Sequence, residues 1–163
     1  MIRRLTARDA ARYRALRLRA LRGAPDSFLS THARESRHDP ATTRRRLREN
    51  HVLGAFVGGA LAGMVGIRRE RNPKIRHKAL VWGVFVAPDH RRSGLGRALM
   101  IEALRRVRAM RGVEQVRLDV GTWNRAARGL YRSVGFRGFG IERRSMRVGG
   151  RWIDEEMMVL FLR

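Results

Sequence analysis

Cysteine is absent from the chain, which excludes disulfide scaffolds, cysteine nucleophiles and thiolate-bound metals. A cysteine-free protein is indifferent to redox poise, so the absence says nothing of compartment. The five histidines, His32, His38, His51, His77 and His90, show no His-Glu-x-x-His spacing, and no metal is expected. A Gly-x-Ser-x-Gly nucleophile elbow is also missing. Long apolar runs are lacking as well. The longest uncharged stretch, Val52 to Ile67, falls short of the roughly 20 residues that cross a bilayer. It is also broken by Gly54, Gly58, Gly59, Gly63 and Gly66. Met1-Ile2-Arg3-Arg4 leads into no apolar signal region. The expectation is a soluble, cytoplasmic protein forming a single domain over residues 1–163.

Acidic residues are scarce, 14 against 37 basic ones, for a formal net charge of +23. Of the basic residues only Lys74 and Lys78 are lysine; the rest are arginine. Neutralising phosphates with arginine gives affinity for nucleic acid without sequence readout. A basic nucleic-acid-binding module is therefore one reading of the charge. The arginines, however, run through every segment, and only Arg44-Arg45-Arg46 forms a tract. Arginine stems that cover apolar surface with their heads in water account for such a distribution equally well.

What the chain does have is a clean succession of periodic segments. Ile2 to Leu5 reads as a strand. Thr6 with Asp9 three residues on opens a helix that runs to Arg22, with Tyr13, Leu16, Ala20 and Leu21 on one face. Asp26 to Pro40 reads as irregular, and Ala41 to Glu49 as a short helix carrying Arg44, Arg45, Arg46 and Arg48 outward. Val52 to Val57 and Leu61 to Arg68 flank Gly58-Gly59 in a hairpin. Ala79 to Ala87 is an uncharged run that predicts a strand buried on both faces. Leu95 to Met110 is a helix, Gln115 to Val120 alternates as a strand, and Asn124 to Val134 is a helix closed by Gly135. Phe139 to Val148 and Trp152 to Leu162 form a last hairpin around Gly149-Gly150. The order β-α-α-β-β-β-α-β-α-β-β predicts one mixed α/β (α+β) sheet, mostly antiparallel, with flanking helices.

Two motifs carry chemistry. Arg91-Arg92-Ser93-Gly94-Leu95-Gly96 lies between a strand and a helix. Glycines let backbone amides approach a phosphate, and the helix N-terminus adds unpaired donors and a positive dipole end. On its own the loop fits either an anion site or a tight turn. Further on, Asn124, Ala127, Leu130, Tyr131, Gly135 and Phe136 mark a helix whose inner face holds a tyrosine. Taken singly, Asn124 reads as an N-cap and Tyr131 as a core aromatic.

Together the two motifs and the element order resemble the GNAT superfamily of acyl-CoA-dependent N-acyltransferases, over nearly the whole chain. The resemblance implies acetyl-CoA as co-substrate and an amine as acceptor. It implies that Val84, Phe85 and Val86 bind the pantetheine arm through their backbones, with the Val86 N–H polarising the thioester carbonyl. Arg91, Arg92, Ser93, Gly94, Leu95, Gly96 and Arg97 would hold the pyrophosphate, and Asn124 and Ala127 would contact the cofactor. Tyr131 would protonate the departing thiolate, and two copies would pair through sheet edges. Many relatives carry a glutamate on the strand before the glycine loop. Here that strand has no acid, and Glu70, Asp119, Asp154, Glu155 or a water remain as candidates for the general base.

Overall fold

Paired glycines set the two hairpin turns. Gly58 and Gly59 have φ values of +53° and +79°, and Gly149 and Gly150 of +53° and +81°. Two consecutive left-handed residues make the turn whose twist matches the strands it joins. In the computed structural model, which describes residues 1–162, the first turn links β2 (His51–Val57) to β3 (Ala60–Arg69) and the second links β6 (Arg137–Val148) to β7 (Arg151–Phe161). With β1 (Ile2–Arg4), β4 (Lys78–Val86) and β5 (Gln115–Gly121) they form one sheet in the order β1-β2-β3-β4-β5-β7-β6. Every neighbouring pair is antiparallel except β4 with β5.

Helices cover both faces. On one side Leu53, Val65, Ile67, Val81 and Leu118 pack under α4 (Leu95–Arg108), through its buried Leu99, Met100, Ala103 and Val107, and under Tyr131 of α5 (Arg125–Ser133). On the other, Val52, Phe56, Met64 and Phe85 pack under α1 (Ala10–Gly23) and α3 (Pro40–Glu49) through Tyr13, Leu16, Ala20 and Leu47. Each Val, Leu, Ile, Met or Phe side chain so withdrawn from water contributes about 1.5–3 kcal/mol. Adjacent strand residues serve opposite faces, which is why neighbours such as Val52 and Leu53 belong to different cores.

The helix starts follow local chemistry. Asp9 accepts the amide of Thr6 at 2.9 Å and a fork from Arg3 at 2.7 and 2.8 Å, closing a single 3₁₀ turn (Ala7–Asp9) ahead of α1. Asp39 caps α3 by accepting the Thr42 amide at 2.7 Å, so that helix begins at Pro40 and not at Ala41. The segment 26–40, expected to be irregular, contains the one-turn helix α2 (His32–Glu35), capped by Thr31. Four residues are too few to leave a periodic signature. Arg46, expected to face outward, instead turns in to Glu35 at 2.9 Å. No helix among the described residues is long and apolar enough to cross a membrane.

The feature that positions the site is a split in the sheet. β4 and β5 pair only where Lys78, Ala79 and Leu80 face Gln115, Val116 and Arg117. Beyond Leu80 they part. On its other side β4 stays with β3 through a register shift between Met64 and Gly66, beside Gly83 at φ +62°. The strand expected to be buried on both faces is therefore not. Ala79, Val81 and Phe85 are buried, whereas Trp82, Gly83, Val84 and Val86 are half-buried and line the opening.

Candidate active site

The split widens into a cleft of about 680 Å³ between β4, β5, the glycine loop and α5. Its upper wall is backbone. Ala87 donates its amide to Ala62 at 2.8 Å, and the β3–β4 register pairs Met64 with Phe85 and Gly63 with Val86. In an antiparallel ladder bonded pairs alternate with unbonded ones. Phe85 thus spends its amide on β3, while the N–H and C=O of Val86 turn toward the split. The Val86 carbonyl accepts Arg91 Nε at 3.1 Å, which leaves the N–H as the donor facing the cleft. All three backbone positions expected to bind the cofactor, Val84, Phe85 and Val86, line the cleft. Phe85 contributes a buried ring on the opposite core.

Below this wall the glycine loop coils with Arg92 at φ +59° and Gly94 at φ +80°. Left-handed residues spaced like this gather successive N–H groups into an anion-sized concavity. A left-handed arginine costs on the order of 1 kcal/mol, an outlay found mainly where a loop binds something. Arg91, Arg92, Gly94, Gly96 and Arg97 line the cleft. Ser93 does not: its hydroxyl turns back to the His90 carbonyl at 2.7 Å. Leu95 packs against the α4 core. A Cβ on Gly96 would lie 3.4 Å from Leu130 and 3.6 Å from Val86, ordinary contact distances, so packing alone does not require glycine there.

α5 closes the far side. Asn124 accepts the Ala127 amide at 3.1 Å, and Asn124, Ala127, Leu130 and Tyr131 all line the cleft. The N-cap and cleft readings of Asn124 both hold. Tyr131 packs edge-on to Phe136 with centroids 6.2 Å apart. Burial pushes its phenol well above the ordinary tyrosine value, and no charge or hydrogen bond opposes the shift. Arg128 and Arg132 fix the helix to the buried Glu156 of β7 at 2.5 and 2.9 Å.

The other half of the cleft opens on the α1 side. Leu118 and Val120 are buried beneath α4 and α5, so Asp119 between them projects from the opposite face. Glu155 pairs with Gly121 across one strand boundary and with Glu142 across the next, which puts both on the face of Asp119. Desolvation raises the Asp119 carboxyl; Arg117 opposes the rise and Glu142 adds to it. The side chain nonetheless remains reachable from the cleft. Glu155 accepts a short hydrogen bond from Ser145 Oγ. Aromatic walls complete this half: Trp82 over the missing Cβ of Gly66, Trp123 over that of Gly121, and Phe28 beside Phe85. None of these three aromatics was legible as a site residue, because the loops that deliver Phe28 and Trp123 carry no motif.

Two expected bases fall elsewhere. Glu70 sits past the far end of β3, 3.8 Å from Arg68, with its amide on the Lys78 carbonyl. Asp154 lies in a neighbouring depression, where its Oδ1 accepts the Arg144 amide at 2.8 Å. Asp119 and Glu155 remain in the cleft.

A seven-stranded, mostly antiparallel sheet parted beside a glycine loop that opens a helix is the architecture of an acyl-CoA N-acyltransferase. The sequence matches the acetyltransferase (GNAT) family over residues 16–136, and the chain belongs to that family. It is 43% identical over 114 residues to the N-alpha-acetyltransferase RimI of Mycobacterium tuberculosis, which covers 68% of each chain. Its fold is shared by a GNAT-family acetyltransferase from Streptococcus pneumoniae (25% identity, 99% of each chain, TM-score 0.88). It is shared as well by yncA, a putative acetyltransferase from Salmonella typhimurium solved with its cofactor acetyl-CoA. The latter is 23% identical over 100% of this chain and 94% of that one, with a TM-score of 0.79.

Proposed function

We propose that the chain transfers the acetyl group of acetyl-CoA directly to a primary amine, with a peptide α-amine as the first acceptor class to test. The observation that carries this reading is the parting of β4 from β5 with acid and base candidates on its two faces. Tyr131 lies on the α5 side of the sheet and Asp119 on the α1 side, so a thioester held in the gap would meet one from each direction. Family membership supports the donor, and the name of the RimI relative supports the choice of acceptor.

In the donor half, the left-handed turns at Arg92 and Gly94, the amides that open α4, and Arg91 and Arg97 would hold the pyrophosphate. The pantetheine arm would run along Val84 and Val86. The Val86 N–H would stabilise negative charge developing on the carbonyl oxygen, a role suited to a donor fixed before reaction. Asp119, directly or through one water, would take the ammonium proton before attack. Its pKa, raised by desolvation, would make it a stronger base than an ordinary aspartate. The amine nitrogen forms the new C–N bond, the C–S bond breaks as Tyr131 gives a proton to sulfur, and the second proton lost by the nitrogen would restore the phenol, leaving the first on Asp119 to return to solvent. Burial keeps the phenol protonated in the resting site but makes it a weaker acid than an ordinary tyrosine, so its proton would pass to sulfur in concert with C–S cleavage.

The test is acetylation of an amine panel that includes short peptides with free N-termini, followed by thiol release and by mass. Amide product equal to CoA released is expected. Acetyl-CoA hydrolysis without amide, or no turnover of any amine, would reject the reading.

A further inference from the structure

Beside the acceptor half of the cleft is a second depression of about 610 Å³. The two are adjoining. Trp123 lines both, and Asp154 in the depression precedes Glu155 in the cleft. Their charges are opposite in arrangement. The inner part presents Asp119 and Glu155, with Glu142 on the next strand; the outer part presents Arg143, Arg144 and Arg151 between Trp123 and Trp152.

The outer part is built by a bulge. Glu142 pairs with Glu155 and Met146 with Ile153, so Arg143, Arg144 and Ser145 oppose Asp154 alone and are pushed out of the ladder. Arg144 is left-handed at φ +55° and is held there by its amide bond to Asp154. Its guanidinium lies 5.6 Å from the Trp152 ring, which Arg147 also approaches at 5.2 Å. Arg151 pairs with Asp26 at 2.9 Å and ties the hairpin to the turn after α1. The carboxylates of the depression are thereby engaged: Asp26 by Arg151, Asp154 by the Arg144 amide. Among the described residues the guanidiniums of Arg143 and Arg144 meet no carboxylate. Trp123 and Trp152 each remain 52% exposed, flanking them.

We propose that this depression is a specificity subsite for an acidic group carried a short way beyond the acceptor's amine, as in a peptide N-terminus followed by aspartate or glutamate. The proposal rests on the acetyltransferase reading above and names the substrate class of that site. An ammonium drawn toward Asp119 leaves the next residues of a peptide over Arg143 and Arg144, where carboxylates gain partners and lysines are repelled. The exposed parts of the two indoles would take the intervening peptide and side-chain stems.

The probes are three amidated peptides: Ala-Asp-Glu-Ala, Ala-Gln-Gln-Ala and Ala-Lys-Lys-Ala. Acetylation should rank acidic over neutral over basic, with about tenfold in kcat/KM between the extremes, as expected of two partly exposed charge pairs. The double variant Arg143→Glu, Arg144→Asp should invert the ranking, aspartate being tolerant of the left-handed backbone. Its melting curve checks that the hairpin is intact. Equal rates for acidic and basic peptides, or a preference that survives in the variant, overturns the subsite. Tryptophan fluorescence on titrating the same peptides without acetyl-CoA separates the two readings. If no peptide is acetylated, the chemistry fails. In that case a quench specific to the acidic peptide and lost in Trp152→Phe still upholds the subsite, and its absence overturns it.

Discussion

Desolvation shifts the pKa of both Tyr131 and Asp119 upward, and the same shift has opposite consequences for the proton-transfer roles proposed for them. A tyrosine raised further above neutrality holds its proton more firmly, while a carboxylate raised toward neutrality becomes a better base. Tyr131→Phe is expected to slow turnover about 10²-fold with acetyl-CoA affinity kept; wild-type kcat in that variant would remove Tyr131 from the chemistry. For Asp119 the sign is the ordinary one for a base. Activity should rise with pH through a pKa above the usual aspartate range, and that limb should vanish in Asp119→Asn. An unchanged pH profile would hand the role to Glu155 or to water. At this scale Tyr131, Asn124 and the loop arginines were legible because each belongs to a spaced motif. Asp119 was legible only as one acid among four, since the face on which a strand residue emerges depends on which of its neighbours a helix covers.

Among the elements, the loop before α4 and the packing on the α1 side of the sheet shape the cleft. Gly94 has open space around the position of a Cβ, so an alanine there is opposed by its φ of +80° and not by a clash. Gly94→Ala should cost about 1 kcal/mol in stability and weaken acetyl-CoA binding more than it slows bound turnover, which separate measurements of KM and kcat would resolve. Under the cleft, Arg17 stacks at 4.9 Å on Phe28 and pairs with Glu35 at 2.9 Å. Burial pushes the Glu35 carboxyl up, but the bonds from Arg17 and the charge of Arg46 prevail and bring it down to about 2. A folded-state pKa below the unfolded one stabilises fully above about 4.5 and is lost as pH falls toward 2. Glu35→Gln should therefore reduce the pH dependence of unfolding in that window. It should also cost ~3–5 kcal/mol at neutral pH by stranding Arg17; denaturant titrations at both pH values check each part. The strands and long helices were readable from their periods. The split was not, because an uncharged run looks equally apolar whether its flank meets a strand or a cleft. Nor was the Arg17–Glu35–Arg46 cluster, whose members are far apart in sequence and ordinary in spacing.

Across the whole molecule the +23 charge and the acidic acceptor half are in tension. Among the described residues half of the 14 carboxylates pair with arginine, Asp9, Asp26, Glu35, Glu70, Asp89, Glu102 and Glu156, and much of the positive excess stays outside the cleft. Weak, salt-sensitive polyanion binding is expected from such a surface, without bearing on catalysis. Acetyl-CoA should stabilise the fold by about 2.7 kcal/mol at a hundredfold excess over its Kd, a rise of roughly 5–10 °C in Tm for a chain of this size. The measurement that tests the central claim most directly is made on one preparation. The protein is mixed with acetyl-CoA and a peptide bearing a free α-amine, and amide formed and CoA released are followed together in wild type and in Tyr131→Phe. The account predicts equal amounts of the two products and a rate about 10²-fold lower in the variant. Equal rates in the two proteins, or no amide at all from wild type, would contradict it.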